Sequence, residues 1–201
     1  FFYASSAEVF GSPVSSPQDE LTPVNPTTPY GAAKAFSQQM ARIYRTAFRL
    51  PTCAAILYNH ESPRRGETFV TRKITRAIGR ILRGEQKELH MGNLEAKRDW
   101  GFAGDYVKAM WLMLQQDRPD DFVIATEISH TVQYLIEVAF GCVGLDWRKH
   151  VVTDPAFLRP AEVDLLVGDA SKAQQKLGWK FEVSFEEMVE MMVKADLERH
   201  A

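Results

Sequence analysis

Apolar positions along this chain change rhythm several times, and each change marks an element. Residues 1–4 are an apolar stub that reads as the end of a strand. Pro13, Pro17, Pro23, Pro26 and Pro29 follow; each fixes φ and removes a backbone donor, so this stretch is expected to be loop. A loop of that length inside a compact domain is usually functional. Residues 30–50 carry Gln38, Gln39, Arg42 and Arg45 at helical spacing, and Pro51 closes the predicted helix. Residues 52–58 form a short apolar run bounded by Pro51 and Asn59, the pattern of a strand buried on both faces. Strand, loop, helix and strand make a crossover unit.

Further on, residues 59–66 are a polar loop too charged to be buried without partners, leading into a basic helix over 69–82. A short strand is predicted at 89–91, a loop over 97–101, and a helix over 106–114 with Asp105 as its N-cap. A strand at 121–125 precedes a helix from Thr131 with Leu135, Val138 and Ala139 on its apolar face. Residues 151–168 read as mostly irregular. Helices are predicted at 169–177, stopped by Gly178, and at 185–197. No internal repeat and no Gly-x-Gly-x-x-Gly occurs in these residues. The expected fold class is α/β: the second half of a Rossmann-type parallel sheet with crossover helices, plus a smaller mixed α/β substrate-binding domain. Residues 1–83 would be the sheet half, ending in a substrate-binding loop and helix. Residues 84–201 would be mostly the smaller domain, with some segments returning to the sheet.

With 201 residues, 45% of them hydrophobic, the chain can bury a real core. A formal charge of -2 gives no global field for nucleic acid or an acidic membrane, so neither is an expected partner. Cys53 and Cys142 look like small core residues, which suits a reducing, cytoplasmic setting. No apolar span or signal peptide is evident, and the sequence opens on Phe1. His60, His90, His130, His150 and His200 lack metal-ligand spacing, so no metal is expected.

The chemistry begins with Tyr30 and Lys34. An i, i+4 pair shares one helix face, and an ammonium beside a phenol favours the phenolate, a usable base. Ser6 and Glu8 lie upstream at the strand end; a helix capping box between Ser5 and Glu8 is the alternative reading of that segment.

Several stretches carry a more specific signal. They are Ala4-Ser5-Ser6-Ala7-Glu8-Val9-Phe10-Gly11, Pro29-Tyr30-Gly31-Ala32-Ala33-Lys34, Asn59-His60-Glu61-Ser62-Pro63-Arg64-Arg65-Gly66 with Phe69-Val70-Thr71-Arg72-Lys73, and Arg98-Asp99-Trp100-Gly101. Arg159-Pro160-Ala161-Glu162-Val163 and Lys176-Leu177-Gly178-Trp179-Lys180 extend them toward the C-terminus. Together they resemble the extended short-chain dehydrogenase/reductase superfamily and, within it, the GDP-mannose 4,6-dehydratase family. The family usually has threonine at Ser6, serine at Ala7 and tyrosine at Phe10; Ser6 keeps the hydroxyl, whereas Ala7 loses a polar contact.

The resemblance implies conversion of GDP-mannose to GDP-4-keto-6-deoxy-mannose by internal hydride transfer through NADP. It gives Tyr30 the 4-hydroxyl proton, Lys34 the support of Tyr30 and of the nicotinamide ribose, and Glu8 the C5 proton and the departing 6-hydroxyl. Ser6 would hold the sugar's 4-oxygen in line. His60 and Arg65 would join Tyr30 and Lys34 on the cofactor. Lys73, Arg98 and Arg159 would meet the diphosphate, and Asn59, Val70 and Glu162 would line the sugar nucleotide. For Lys73 the competing reading is a solvated basic helix face shared with Arg72, Arg76 and Arg80. A homo-oligomer, dimer or tetramer, is also implied. Two alternatives stand: another nucleotide-sugar dehydratase or epimerase of the same fold, or a catalytically silent fragment that binds only nucleotide sugar or a partner subunit. Glu8 without an aspartate before it favours the GDP-mannose enzyme over the dTDP-glucose dehydratases. The 201 residues alone are expected to be inactive, since no glycine-rich turn is present to hold the pyrophosphate.

Overall fold

The computed structural model describes residues 1–157 and 166–199. Strand β1 (Phe2–Ala4) pairs in parallel with β2 (Cys53–Leu57), and β2 pairs in parallel with a later strand, β6 (Phe122–Ile124). Helix α1 (Pro29–Ala47) makes the crossover from β1 to β2. The β2 run is buried on both faces because its neighbours cover both. Ile56 joins Val9 and Phe10 on one side, while Cys53, Ala55 and Leu57 face Tyr106, Ala109 and Met113 of α3 (Ala103–Leu114) and Ala173 of α5 (Ser171–Leu177) on the other. Period-two alternation along a single strand thus serves two cores. Among the described residues β1 pairs only with β2, so its other edge is open.

A second region grows from the carboxyl end of this sheet. Its core gathers α2 (Val70–Leu82), α4 (Val132–Gly141) and α6 (Phe185–Glu198), with Ile78, Phe140 and Met188 fully buried. β3 (Asn59–Glu61) pairs in parallel with β5 (Lys97–Phe102), which pairs antiparallel with β7 (Ser129–Thr131). β4 (Leu89–Met91) pairs in parallel with β8 (Val151–Thr153). Ser184 and Glu187 form a capping box that starts α6.

Several expectations are corrected. Residues 59–61 and 97–102 are strands, because charged side chains that discouraged burial find partners there: Glu61 accepts from Thr71, and Asp99 accepts from Thr126 and Glu127. Asp105 is not an N-cap. It lies inside the first turn of α3, and its Oδ2 accepts from the backbone N–H of Glu182 and Val183, clasping the segment before α6. Helix α1 starts at Pro29, with Thr28 as N-cap and proline in the first turn, where its missing N–H costs nothing. Helix α5 starts at Ser171 rather than 169. Cys142 is exposed at the end of α4, whereas Cys53 is buried. The proline-rich loop is pinned at Gln18, whose buried amide accepts from the Tyr58 hydroxyl and the Val167 N–H.

Candidate active site

Open parallel sheets bind ligands outside the carboxyl ends of their strands. β1 ends at Ala4, in register with Ala55 of β2, so the segments that follow the two strands leave the sheet side by side. Ser6 and Glu8 follow β1. Ser6 caps a single 3-10 turn, Ala7–Val9, by accepting from the Glu8 N–H at 3.2 Å. The capping box between Ser5 and Glu8 does not form: Ser5 is buried and donates to Gln38 Oε1 at 2.5 Å.

Helix α1 brings Tyr30 and Lys34 to the same strand end. Lys34 Nζ donates to the Ala4 carbonyl at 2.9 Å and lies 5.5 Å from the Tyr30 ring centroid and 5.4 Å from that of Tyr3. Tyr30 is 52% exposed, open to an incoming ligand. Glu8 is tied to the start of α1 through the helix's own N-cap. Thr28 Oγ1 donates to Glu8 Oε2 at 3.0 Å while accepting from the Gly31 N–H at 3.0 Å. A Cβ on Gly31 would stand 2.6 Å from the Glu8 carbonyl oxygen, so only glycine lets the turn sit against the helix. Ser6, Glu8, Tyr30 and Lys34 therefore cluster at the end of β1.

Asn59, His60 and Arg65 follow β2. His60 Nδ1 lies 2.8 Å from the Tyr58 carbonyl, which can only accept, so Nδ1 carries the hydrogen and Nε2 keeps its lone pair. Burial pushes this imidazole below its ordinary value, partly opposed by that hydrogen bond, and its ring stacks on Tyr106 at 5.1 Å. Asn59 Nδ2 donates to the Asp99 carbonyl at 3.4 Å. Arg65 packs its guanidinium 3.6 Å above the Phe69 ring; its Nε stands 3.2 Å from Glu61 Oε2 at an angle that makes no hydrogen bond. Burial raises the Glu61 carboxyl, opposed by Arg65 and the Thr71 hydroxyl.

The other candidates lie on the second region. Val70 opens α2. Lys73 Nζ donates to the His90 carbonyl at 2.6 Å and stands 4.1 Å over the Phe157 ring. Burial lowers its ammonium, with Asp154 opposing. Together with Arg80, Glu88, His90 and Phe157 it lines a cavity of about 250 Å³. The solvated-face reading therefore fails for part of α2: Arg72 is buried against Asp196, and Arg76 pairs with Glu67. Arg98 sits on β5 opposite His130, its Nη1 donating to the Lys97 carbonyl at 2.7 Å. Arg159 and Glu162 lie outside the described residues.

Two groups escaped the sequence reading. Gln38, buried beneath Ser5, anchors α1 to the end of β1. Asp99, beside Arg98, is fully buried, and burial pushes its carboxyl up to about 6 against three hydrogen bonds from Thr126 and Glu127. Its place within Arg98-Asp99-Trp100-Gly101, between a cation and a large apolar side chain, was the available signal.

Comparisons with known proteins bear on this geometry. Solved structures include the UDP-glucose 4-epimerase of Thermotoga maritima with UDP-glucose, similar at a TM-score of 0.87 and 28% identity over 100% of this chain and 64% of that one. RMD from Pseudomonas aeruginosa, complexed with NADPH, shares the fold at a TM-score of 0.91 and 22% identity over 99% of this chain and 67% of its own. Among curated relatives, GDP-mannose 4,6 dehydratase 1 of Arabidopsis thaliana is 58% identical over 198 residues, covering 98% of this chain and 55% of that protein. The GDP-mannose 4,6 dehydratase of Cricetulus griseus is 47% identical, covering 98% of this chain and 58% of its own length. The chain thus spans a little over half the length of the curated relatives it matches. The family model described as GDP-mannose 4,6 dehydratase matches residues 1–192, taking in both strand ends and the Lys73 cavity, and the chain belongs to that family.

Proposed function

We propose that these residues supply the acid–base and nicotinamide-facing half of a GDP-mannose 4,6-dehydratase, a hydro-lyase making GDP-4-keto-6-deoxy-mannose. The observation that carries the reading is the gathering of Glu8, Tyr30 and Lys34 at one strand end, with Glu8 held to the head of the helix that bears the other two. Tyr30 takes the proton of the sugar 4-hydroxyl, Lys34 stands beside it, and Ser6 orients the 4-oxygen. Once C4 is a carbonyl the C5 proton is acidic; Glu8 removes it and protonates the leaving 6-hydroxyl. Lys73, Arg98 and Arg159 neutralise the diphosphate, and Asn59, Val70 and Glu162 line the sugar nucleotide.

The polar groups at the two strand ends fit the nicotinamide end of NADP: a cation at Lys34, the lone pair of His60 Nε2, and the Arg65 guanidinium, stacked on Phe69 and ion-paired with Glu61. Bound there, the cofactor would supply a reversible hydride store; Tyr30, Lys34, His60 and Arg65 would hold it. We place the activity in the cytoplasm, in a homo-oligomer, and divide the chain near residue 83 into a sheet half and a mostly substrate-binding part. The 201 residues alone are read as inactive, because the nicotinamide end contributes little of a dinucleotide's affinity.

The test joins these residues to a glycine-rich dinucleotide-binding half and measures turnover of GDP-mannose with NADP. Glu8→Gln should keep substrate binding and lose about 10²- to 10⁴-fold in rate, as for a positioned base. A variant within a few-fold of its parent removes Glu8 from the chemistry.

A further inference from the structure

Arg72, which the competing reading of Lys73 puts on a solvated face, is 3% exposed, and its guanidinium bridges two distant parts of the chain. Nε and Nη2 donate to Asp196 Oδ2 and Oδ1 at 2.9 and 2.8 Å. Nη1, on the opposite edge, donates to the backbone carbonyls of Pro63 and Arg65 at 2.9 and 2.8 Å. Asp196, 1% exposed in the last turns of α6, also accepts from Thr75 Oγ1 at 2.6 Å, and Arg199 Nη1 approaches it at 3.6 Å. One planar head group therefore joins a helix near the end of the chain to the loop after β3.

What that grip fixes is the backbone around Arg65. The loop's own hydrogen bonds are few: Arg65 N–H to the Ser62 carbonyl, Arg64 N–H to Ser62 Oγ, and Phe69 N–H to the Gly66 carbonyl. Turns of this kind do not hold a side chain in place unaided. Phe69, on which the Arg65 guanidinium stacks, is itself half exposed. A lysine at position 72 has one point charge and could not reach a carboxylate and two carbonyls together.

We propose that Arg72 is a positioning residue for the loop that carries Arg65, and that Asp196 on α6 sets Arg72 in place. The proposal rests on the reading of Arg65 as a cofactor contact for its functional meaning, and on geometry alone for the clamp. It makes α6, which contributes no proposed ligand contact, a determinant of cofactor affinity.

The experiment compares the 201-residue chain with its Asp196→Asn, Thr75→Val and Arg72→Lys variants by amide hydrogen exchange and by titration with nicotinamide mononucleotide. Asp121→Asn is the control, since it breaks another buried pair, with Arg42 and Arg45, away from the loop. In Asp196→Asn the amides of Arg65 and Phe69 should exchange more than about tenfold faster while those of β2 do not change, and nucleotide affinity should fall by about tenfold with the loop. Thr75→Val, which unpairs no charge, should move both readouts in the same direction and by less. Arg72→Lys should behave like Asp196→Asn. In Asp121→Asn the melting temperature falls and both readouts stay put. Unchanged loop exchange in Asp196→Asn and Thr75→Val overturns the clamp, as does an equal effect in Asp121→Asn. Faster loop exchange in Asp196→Asn with unchanged mononucleotide affinity upholds the clamp and refutes the cofactor reading instead.

Discussion

The two ends of the candidate site are held by different means. At the end of β1 the ties are short: Lys34 to the Ala4 carbonyl, Ser6 to the Glu8 amide, and Thr28 between Glu8 and the first turn of α1. On the side of α2 they are long, with Arg65 and its loop depending on an aspartate 124 residues from Arg72. Local ties come from a helix cap and a strand end, and survive change elsewhere. Distant ones hold only while α6 is docked. The β1 end, with its proposed acid–base groups, should therefore be robust to damage in the C-terminal region, and the loop proposed to face the cofactor should not.

The sharpest way to break this contrast is Asp196→Ala. Losing one partner of a buried pair leaves the other charge uncompensated and costs about 3 to 5 kcal/mol. Chemical denaturation should show that loss, while the Lys34 contact at β1, followed by its side-chain resonances, is retained.

Asp99 gives the next effect, and its sign is unusual. Its folded carboxyl stands at about 6, above the ordinary 3.8, so between those values the folded chain holds a proton that the unfolded chain has released. Stability from this group therefore falls as pH rises from about 4 to 6 and is level above, by about 2 to 3 kcal/mol across the window. Glu61 and Glu20, also raised mainly by burial, act in the same direction. Asp121, which burial pushes up but Arg45 and Arg42 together hold below its ordinary value, loses its contribution only as pH falls below 3.8. Thermal melts of the parent and Asp99→Asn from pH 4 to 7 isolate the Asp99 contribution: the variant should show the flatter dependence.

At the acid–base end, Gly31→Ala sets a methyl against the Glu8 carbonyl and should cost about 1 to 3 kcal/mol, as overpacking does. Glu8 should move away from Tyr30 with it. Thr28→Ala removes the N-cap oxygen and should cost only about 1 kcal/mol, visible as a lower melting temperature with α1 still formed.

The same contrast explains what the sequence made legible. Tyr30, Lys34, Ser6 and Glu8 belong to short motifs whose spacing carries the geometry, and the apolar run at 52–58 announces a buried strand. Strands at 59–61 and 97–102 were hidden because their polar residues are compensated by groups in other elements, Thr71 of α2 for Glu61 and the Thr126 and Glu127 segment for Asp99. Arg72 reads as one more basic residue on α2 until Asp196 is folded against it. Asp105 fills a cap position by sequence and a tertiary clasp in the fold. Short-range chemistry can be read from order alone; a charge buried by a distant partner cannot.

The most direct test is a pair of backbone-resonance titrations on the 201-residue chain, one with GDP and one with nicotinamide mononucleotide. GDP should shift amides around Lys73, His90 and Arg98 and leave Ser6, Tyr30 and Lys34 alone. The mononucleotide should do the reverse, reaching Tyr30, Lys34, His60 and Arg65. If GDP instead perturbs the Tyr30 end, or the mononucleotide the Lys73 cavity, the proposed division of labour between the strand ends and the Lys73 cavity is wrong.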